Sequence, residues 1–233
     1  MPPLVAVELG TTNTVVAVGE CNEAGRLVLT TLATHPTIGI RKGQVISVEQ
    51  AGTGLGTTLR QAEQNGRLSI RQVLLAVTGS HLQSVVNIGK SAVQGRDNIV
   101  TQDDINEVSE LATAIHLDDS RKIIHTFWQG FALDDVEGIS NPLGMTASQL
   151  SLAALVVHGS RTRLDNVATV FRQVSVELQD TVFGICAASQ AVLTTEQKKS
   201  GVLLIDFGGG TTDYLVFFND AVVSLGSLGV GGD

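Results

Sequence analysis

Cationic residues are scarce in this 233-residue chain: 15 Lys and Arg stand against 23 Asp and Glu, a formal net charge of -8 at neutral pH. Only Lys198-Lys199 and Arg41-Lys42 are adjacent, so there is no basic face for nucleic acid or for charge-driven attachment to anionic lipid. Cysteine is equally sparse. Cys21 and Cys186 lie far apart, both in apolar surroundings, without the spacing of a disulfide framework or a metal pair; two buried thiols in a reducing compartment are expected. Apolar runs such as Leu152 to Val157 fall far short of the about 20 residues that a spanning helix needs. The start, Met1-Pro2-Pro3-Leu4, lacks the basic and apolar segments of a secretory leader. These absences predict a soluble, cytoplasmic protein. What is present, 43% hydrophobic residues and a mean hydropathy of +0.23, suits a sheet buried between helices.

Along the chain, Val5 to Gly19 reads as strand, tight turn, strand, and Leu27 to Leu32 as a third strand after the turn at 22–25. Arg41 to Ile46 reads as loop or short strand. A helix is expected between Ser47 and Asn65, weakened in its middle by Gly52, Gly54 and Gly56. Arg71 to Gly79 is again β-rich. Val85 to Gln94 predicts a strand, and Thr101 to Ile115 a helix, with Thr101 as N-cap and Asp104 in the capping-box position. Strands are expected over Ile123 to Asp134, ending in a turn at Glu137-Gly138, and over Gln149 to His158. Arg161 to Glu177 has helical periodicity, and Val182 to Leu193 reads as a buried helix. Gly201 to Phe218 returns to strand, turn, strand, followed by a strand over Val222 to Ser227.

That return is the informative feature. Glu8-Leu9-Gly10-Thr11-Thr12 and Asp206-Phe207-Gly208-Gly209-Gly210-Thr211-Thr212-Asp213 share one plan: a strand, a carboxylate, a glycine turn, paired threonines, a strand. Glycine lets backbone N–H groups approach a ligand without interference from Cβ, threonine hydroxyls add donors, and together they suit phosphate oxygens. A carboxylate at a strand end can hold hydrated Mg²⁺ beside them. Either turn alone is ordinary hairpin chemistry; the pair is what points to a polyphosphate clamp. No Gly-x-x-x-x-Gly-Lys-Ser/Thr loop and no glycine turn opening directly into a helix is present, which disfavours the P-loop and Rossmann folds.

These two segments resemble the phosphate loops of the actin, DnaK and sugar-kinase superfamily. Leu75 to His81, Val100 to Ile105 and Gly138 to Met145 resemble, in order, landmarks of its bacterial cell-division branch, the FtsA family. The resemblance runs from Leu4 to Asp233. It implies an α/β protein with actin-like (ribonuclease H-like) lobes of mixed sheets and a small α+β inserted SHS2-type subdomain. The expected division is 1–83 for the first part of lobe one, 84–159 for the insertion, 160–199 for the rest of lobe one and 200–233 for an incomplete second lobe. It implies ATP and Mg²⁺ as ligands, with phosphates at Gly10, Thr11, Thr12, Asn13, Gly208, Gly209, Gly210, Thr211 and Thr212. Glu8 and Asp206 would hold the metal, mostly through water. Gln190, in Gln190-Ala191-Val192-Leu193, resembles the glutamine that positions attacking water; it equally fits a hydrogen-bonded polar residue on a buried helix.

The resemblance further implies a division adaptor that links FtsZ filaments to the membrane, self-associates into filaments and recruits later division proteins at the division site. The carboxy-terminal amphipathic helix by which such proteins meet the membrane is not among these residues. Two departures weaken the expected chemistry. Glu8 stands where the family has Asp, disturbing a Mg²⁺ geometry close to octahedral, and Asn13 stands where Lys or Tyr is usual. With the adenosine-binding glycines also missing, at most a weak ATPase is expected, and the chain alone is expected to be inactive. A PilM-like adaptor of type IV pilus assembly is the alternative. A small-molecule kinase is disfavoured, because the five histidines form no cluster and no catalytic acid stands out.

Overall fold

Alternation of apolar residues builds the first sheet. In β1 (Leu4–Leu9), Val5, Val7 and Leu9 are buried while their neighbours face outward. β1 pairs antiparallel with β2 (Asn13–Cys21), and β2 with β3 (Leu27–Pro36), which is the expected meander. The computed structural model describes residues 3–233; Met1 and Pro2, where the sequence was read as lacking a leader, lie outside the described residues. β4 (Ile40–Arg41) and β5 (Gln44–Val45) form a small hairpin ahead of α1 (Val48–Gly66). The Ser47 hydroxyl caps α1 by accepting from the Gln50 amide at 3.3 Å. The helix runs unbroken through its glycines: Ala51, Leu55, Leu59 and Ala62 bury one face against the sheet, and that tertiary burial outweighs the weak local propensity. β6 (Gln72–Val77) then lies parallel beside β1.

The next segment has its own sheet and its own core. β7 (Gln83–Ala92) precedes α2 (Gln102–Thr113), and β8 (Arg121–Leu133), β9 (Val136–Ile139) and β10 (Gln149–Ser160) follow, in the spatial order β7-β10-β8-β9. All of their pairings are antiparallel. α2 covers one face, burying Ile105, Val108 and Ala112 against Phe131, Leu150, Leu152 and Ala154. Thr101 and Asp104 form the predicted capping box. Asp104, 1% exposed, accepts from the Gln94 amide at 2.7 Å, the Thr101 amide at 2.8 Å and the Thr101 hydroxyl at 2.7 Å. Burial would raise its pKa, but these donors and the Gly95 amide outweigh burial and hold the carboxyl below its ordinary value. β10 leaves this core at Ala154 and enters the main one at Leu155 and Val157, tying the two units together.

α3 (Arg161–Gln173) returns to the first sheet, followed by β11 (Glu177–Phe183), which pairs parallel with β6 and completes the order β11-β6-β1-β2-β3. α4 (Gly184–Val192) and α5 (Thr195–Ser200) lead to β12 (Val202–Phe207), β13 (Thr212–Phe218) and β14 (Ala221–Leu228), an antiparallel three-stranded sheet.

Several local readings are corrected. The helix expected through Glu177 ends at Gln173, and Ser175 takes φ 57, freeing residues 177–183 for a strand whose partner β6 is a hundred residues away in the chain. Val182 belongs to that strand and not to the buried helix, which starts at Gly184. The turn expected at Glu137-Gly138 sits at Asp134-Asp135, where Asp134 takes φ 50, and residues 137–138 lie in β9. Cys21 is exposed, because it ends a strand at the rim of the sheet; Cys186 alone is buried, and both are free thiols.

A cluster of cationic side chains marks the junction between the two units. Arg121 donates through Nε to His158 Nδ1 at 2.9 Å and through Nη2 to the His81 carbonyl at 3.2 Å, while the Ser160 amide donates to His81 Nδ1 at 3.2 Å. Both rings must be neutral to accept. Burial first, then the Arg163 and Arg121 charges, push His81 down to about 4 from an ordinary 6.5, and burial and Arg121 lower His158. A base whose pKa falls on folding leaves stability untouched above its unfolded value; below pH 6.5 the unfolded chain takes the proton first, so stability declines towards pH 4. The melting temperature is therefore expected to fall between those limits, and His81→Gln to remove about 2 kcal/mol of the stability lost across them. Asp104→Ala, which leaves three donors unpaired, is expected to cost about 2–4 kcal/mol in denaturant unfolding.

Candidate functional site

The β1–β2 and β12–β13 hairpins turn in the same way. Leu9 faces Thr14 and Phe207 faces Thr212 at the last paired positions, leaving tips of residues 10–13 and 208–211. Each tip closes on an equivalent bond: the Gly10 amide donates to the Asn13 carbonyl at 3.0 Å, and the Gly208 amide to the Thr211 carbonyl at 2.9 Å. This register revises the correspondence drawn from the sequence. Glu8 matches Asp206, but Thr11-Thr12 occupy the places of Gly209-Gly210, and Thr211-Thr212 those of Asn13-Thr14. One position further on, Val15 lies opposite Glu8 where Asp213 lies opposite Asp206, so the second hairpin carries a carboxylate that the first lacks.

The tips meet. A Cβ built on Gly210 would stand 2.6 Å from Thr11 Oγ1 and 2.9 Å from Lys42 Cα, and one on Gly209 would collide with Thr12 Oγ1. The β4–β5 turn closes the contact from the side: Lys42 and Gly43 have positive φ, and the Gly43 amide donates to Thr11 Oγ1 at 3.1 Å. Between the hairpins lies a cavity of about 220 Å³. Of the residues proposed for it from the sequence, Glu8, Gly10, Thr11, Thr12, Asn13, Asp206, Gly208, Gly209 and Thr211 line it. Gly210 is buried in the contact between tips, and Thr212 turns away, donating to the Val230 carbonyl at 2.7 Å. Gln190 lies elsewhere: it is exposed near the end of α4, and Lys198 Nζ donates to its Oε1 at 2.9 Å.

Three lining residues were not proposed from the sequence: Val15, which is apolar, and the polar Thr78 and Asp213. Asp213 is 4% exposed; the Thr78 hydroxyl donates to its Oδ2 at 2.6 Å, and its Oδ1 has no partner. Burial raises its pKa, the Ser227 and Thr78 hydroxyls pull it back, and the Asp206 charge adds to the rise. Ser227 faces Asp213 across the β13–β14 register, yet its oxygen meets no hydrogen-bond geometry, so Thr78 is the firm partner. Glu8 is raised too, by burial and then by Asp206 and Asp213. Glu8 is exposed by its surface area, so solvent screens part of that effect. The only signal for Asp213 was its place in the glycine-rich motif; Thr78, far away in sequence, carried none.

The arrangement has two unmet demands. Amides of Thr11, Thr12, Gly209 and Gly210 have no acceptor among the described residues, which suits anionic oxygens, while the negative charges of Glu8, Asp206 and Asp213 oppose one another. A polyphosphate carrying a hydrated divalent cation answers both, and the orphaned Asp213 oxygen and the glycine cradle fit such a group. Among the described residues no three His, Cys, Asp or Glu side chains converge tightly enough to ligate an ion by themselves.

Residues 79–158 match the family described as the SHS2 domain inserted in FtsA. The chain is 30% identical over 230 residues, 99% of its length, to the cell division protein FtsA of Pseudomonas aeruginosa, covering 55% of that protein. It is 27% identical over 219 residues to FtsA of Escherichia coli, 94% of this chain and 52% of that one. The chain thus spans about half the length of the curated relatives it matches. Among solved structures it resembles the PilM–PilN type IV pilus biogenesis complex, with TM-score 0.62, 15% identity and coverage of 98% of this chain and 62% of that one. It also resembles the ethanolamine utilization protein EutJ from Carboxydothermus hydrogenoformans, with TM-score 0.53, 14% identity and coverage of 100% and 53%. These likenesses show the actin-like fold. The resemblance to FtsA carried by the sequence landmarks holds along nearly the whole chain.

The fit of the tips leaves no room for a methyl group. Gly210→Ala is expected to cost about 1–3 kcal/mol in thermal unfolding, because backbone at Lys42 stands in the way. Gly184→Ala, whose added methyl lies 3.5 Å from the Val77 carbonyl, is the control and is expected to stay within about 0.5 kcal/mol.

Proposed function

We propose, for a chain that is FtsA-like over nearly its whole length and carries the SHS2 domain inserted in FtsA proteins, the role of nucleotide-binding scaffold in bacterial cell division. One observation supports the nucleotide part above all: two glycine tips with free amides close on a cavity that also gathers three carboxylates. In this reading Gly10, Thr11, Thr12 and Asn13 hold phosphate oxygens from one side and Gly208, Gly209 and Thr211 from the other. Glu8, Asp206 and Asp213 orient the water shell of Mg²⁺, which when bound neutralises the phosphates. The unit division is 1–83, 84–159, 160–199 and 200–233, with the insertion as the surface offered to neighbouring protomers and later division proteins. Contacts to FtsZ, filament formation and membrane attachment at the division site belong to the whole protein; no helix among the described residues is long and apolar enough to cross a membrane.

Hydrolysis is slow in this reading. Gln190 does not line the cavity and is held by Lys198, and the longer Glu8 side chain would hold a hydrated metal less well than the family's Asp. A pilus-assembly role shares the fold, but that likeness, at 15% identity, speaks to fold alone.

Calorimetric titration with Mg·ATP tests the site. Binding weaker than about 10 µM is expected for this chain, lost in Asp206→Asn; submicromolar affinity refutes the expected weakness, and binding indifferent to Mg²⁺ or to Asp206→Asn counts against the site. As pH falls, Mg²⁺-dependent binding is expected to fade from above the ordinary carboxylate range, because Glu8 and Asp213 take up protons early. In cells, the tagged full-length product is expected to form a band at the division site, whereas polar foci would favour the pilus reading.

A further inference from the structure

Thr78 occupies a singular position. It follows the last residue of β6 and precedes residue 79, where the inserted domain begins, so it is the root from which that domain leaves the first sheet. Its hydroxyl is nevertheless engaged with the other hairpin: 2.6 Å from Asp213 Oδ2 and 3.0 Å from Thr211 Oγ1. A threonine hydroxyl has one proton to give. The short contact to a carboxylate takes it, so Thr78 accepts from Thr211, and the order of donation runs from Thr211 to Thr78 to Asp213. Both ends of this chain of bonds face the cavity. Thr211 and Asp213 both line it, and Asp213, 4% exposed, has its second oxygen buried without a partner.

We propose that Thr78 is a positioning residue through which the contents of the cavity set the attitude of the inserted domain. An anionic oxygen that draws the Thr211 proton removes the donor on which Thr78 depends, and a hydrated cation at Asp213 Oδ1 turns the carboxylate that Thr78 holds. Either event shifts the residue from which the insertion springs. The rest of the insertion follows the second hairpin unit, because Ser84 Oγ donates to the Leu225 carbonyl at 2.8 Å and Gln129 Nε2 to the Val222 carbonyl at 3.0 Å, both on β14. The trigger rests on the phosphate-and-cation reading above; the tie itself does not.

Hydrogen exchange of the full chain, followed by mass spectrometry over 79–84 and 222–228, separates the two. With Mg·ATP at saturation, judged by each variant's own titration, exchange over these segments is expected to change several-fold in the wild type and in Thr78→Ser, and to stay unchanged in Thr78→Val. An equal change in Thr78→Val, or its loss in Thr78→Ser, overturns the proposal. If neither Mg·ATP nor Mg·tripolyphosphate binds the wild type, the nucleotide reading fails, and the tie is read without ligand. Residues 79–84 are then expected to exchange about tenfold faster in Thr78→Val than in Thr78→Ser, and equal rates refute it.

Discussion

Residues 209 and 210 touch the side chains of Thr12 and Thr11, and this approach of two hairpin tips is the constraint around which the other parts are arranged. Glycine is required there because any Cβ would meet a threonine or the backbone of Lys42. The approach brings carboxylates of both hairpins into one small space and leaves loop amides without acceptors. Charge of one sign beside unfilled donors is an arrangement that a folded protein tolerates when a ligand of mixed charge completes it.

The two cores explain how the chain holds that contact. The first sheet with α1 and α3 packs on one core, α2 and its sheet on another, and β10 passes from one to the other without interruption. A long strand shared by two cores resists bending, so the inserted unit is anchored at its end by β10 and at its beginning by the short Thr78 junction. The Arg121, His158 and His81 cluster sits at the same junction, and its neutral rings accept hydrogen bonds that protonated ones would refuse.

Beside its tip the second hairpin carries one more carboxylate than the first, Asp213 against Val15. The duplication is therefore one of backbone, with chemistry added to one copy. That asymmetry gives the cavity two carboxylates from the β12–β13 side, Asp206 and Asp213, and one from the β1–β2 side, Glu8.

Much was legible in the residues themselves. Hairpins and the capping box at Thr101 and Asp104 depend on neighbours within a few positions, and their patterns stand in the sequence. The repeated glycine motif told that two tips exist. It could not tell which threonine matches which, since strand register is set by cross-strand pairing and not by the likeness of letters. β11 was unreadable because a parallel strand is defined by a distant partner, here β6. Thr78 and the burial of Asp213 follow from the same cause: hydrogen bonds between residues 135 positions apart exist only once the chain has brought its two hairpins together.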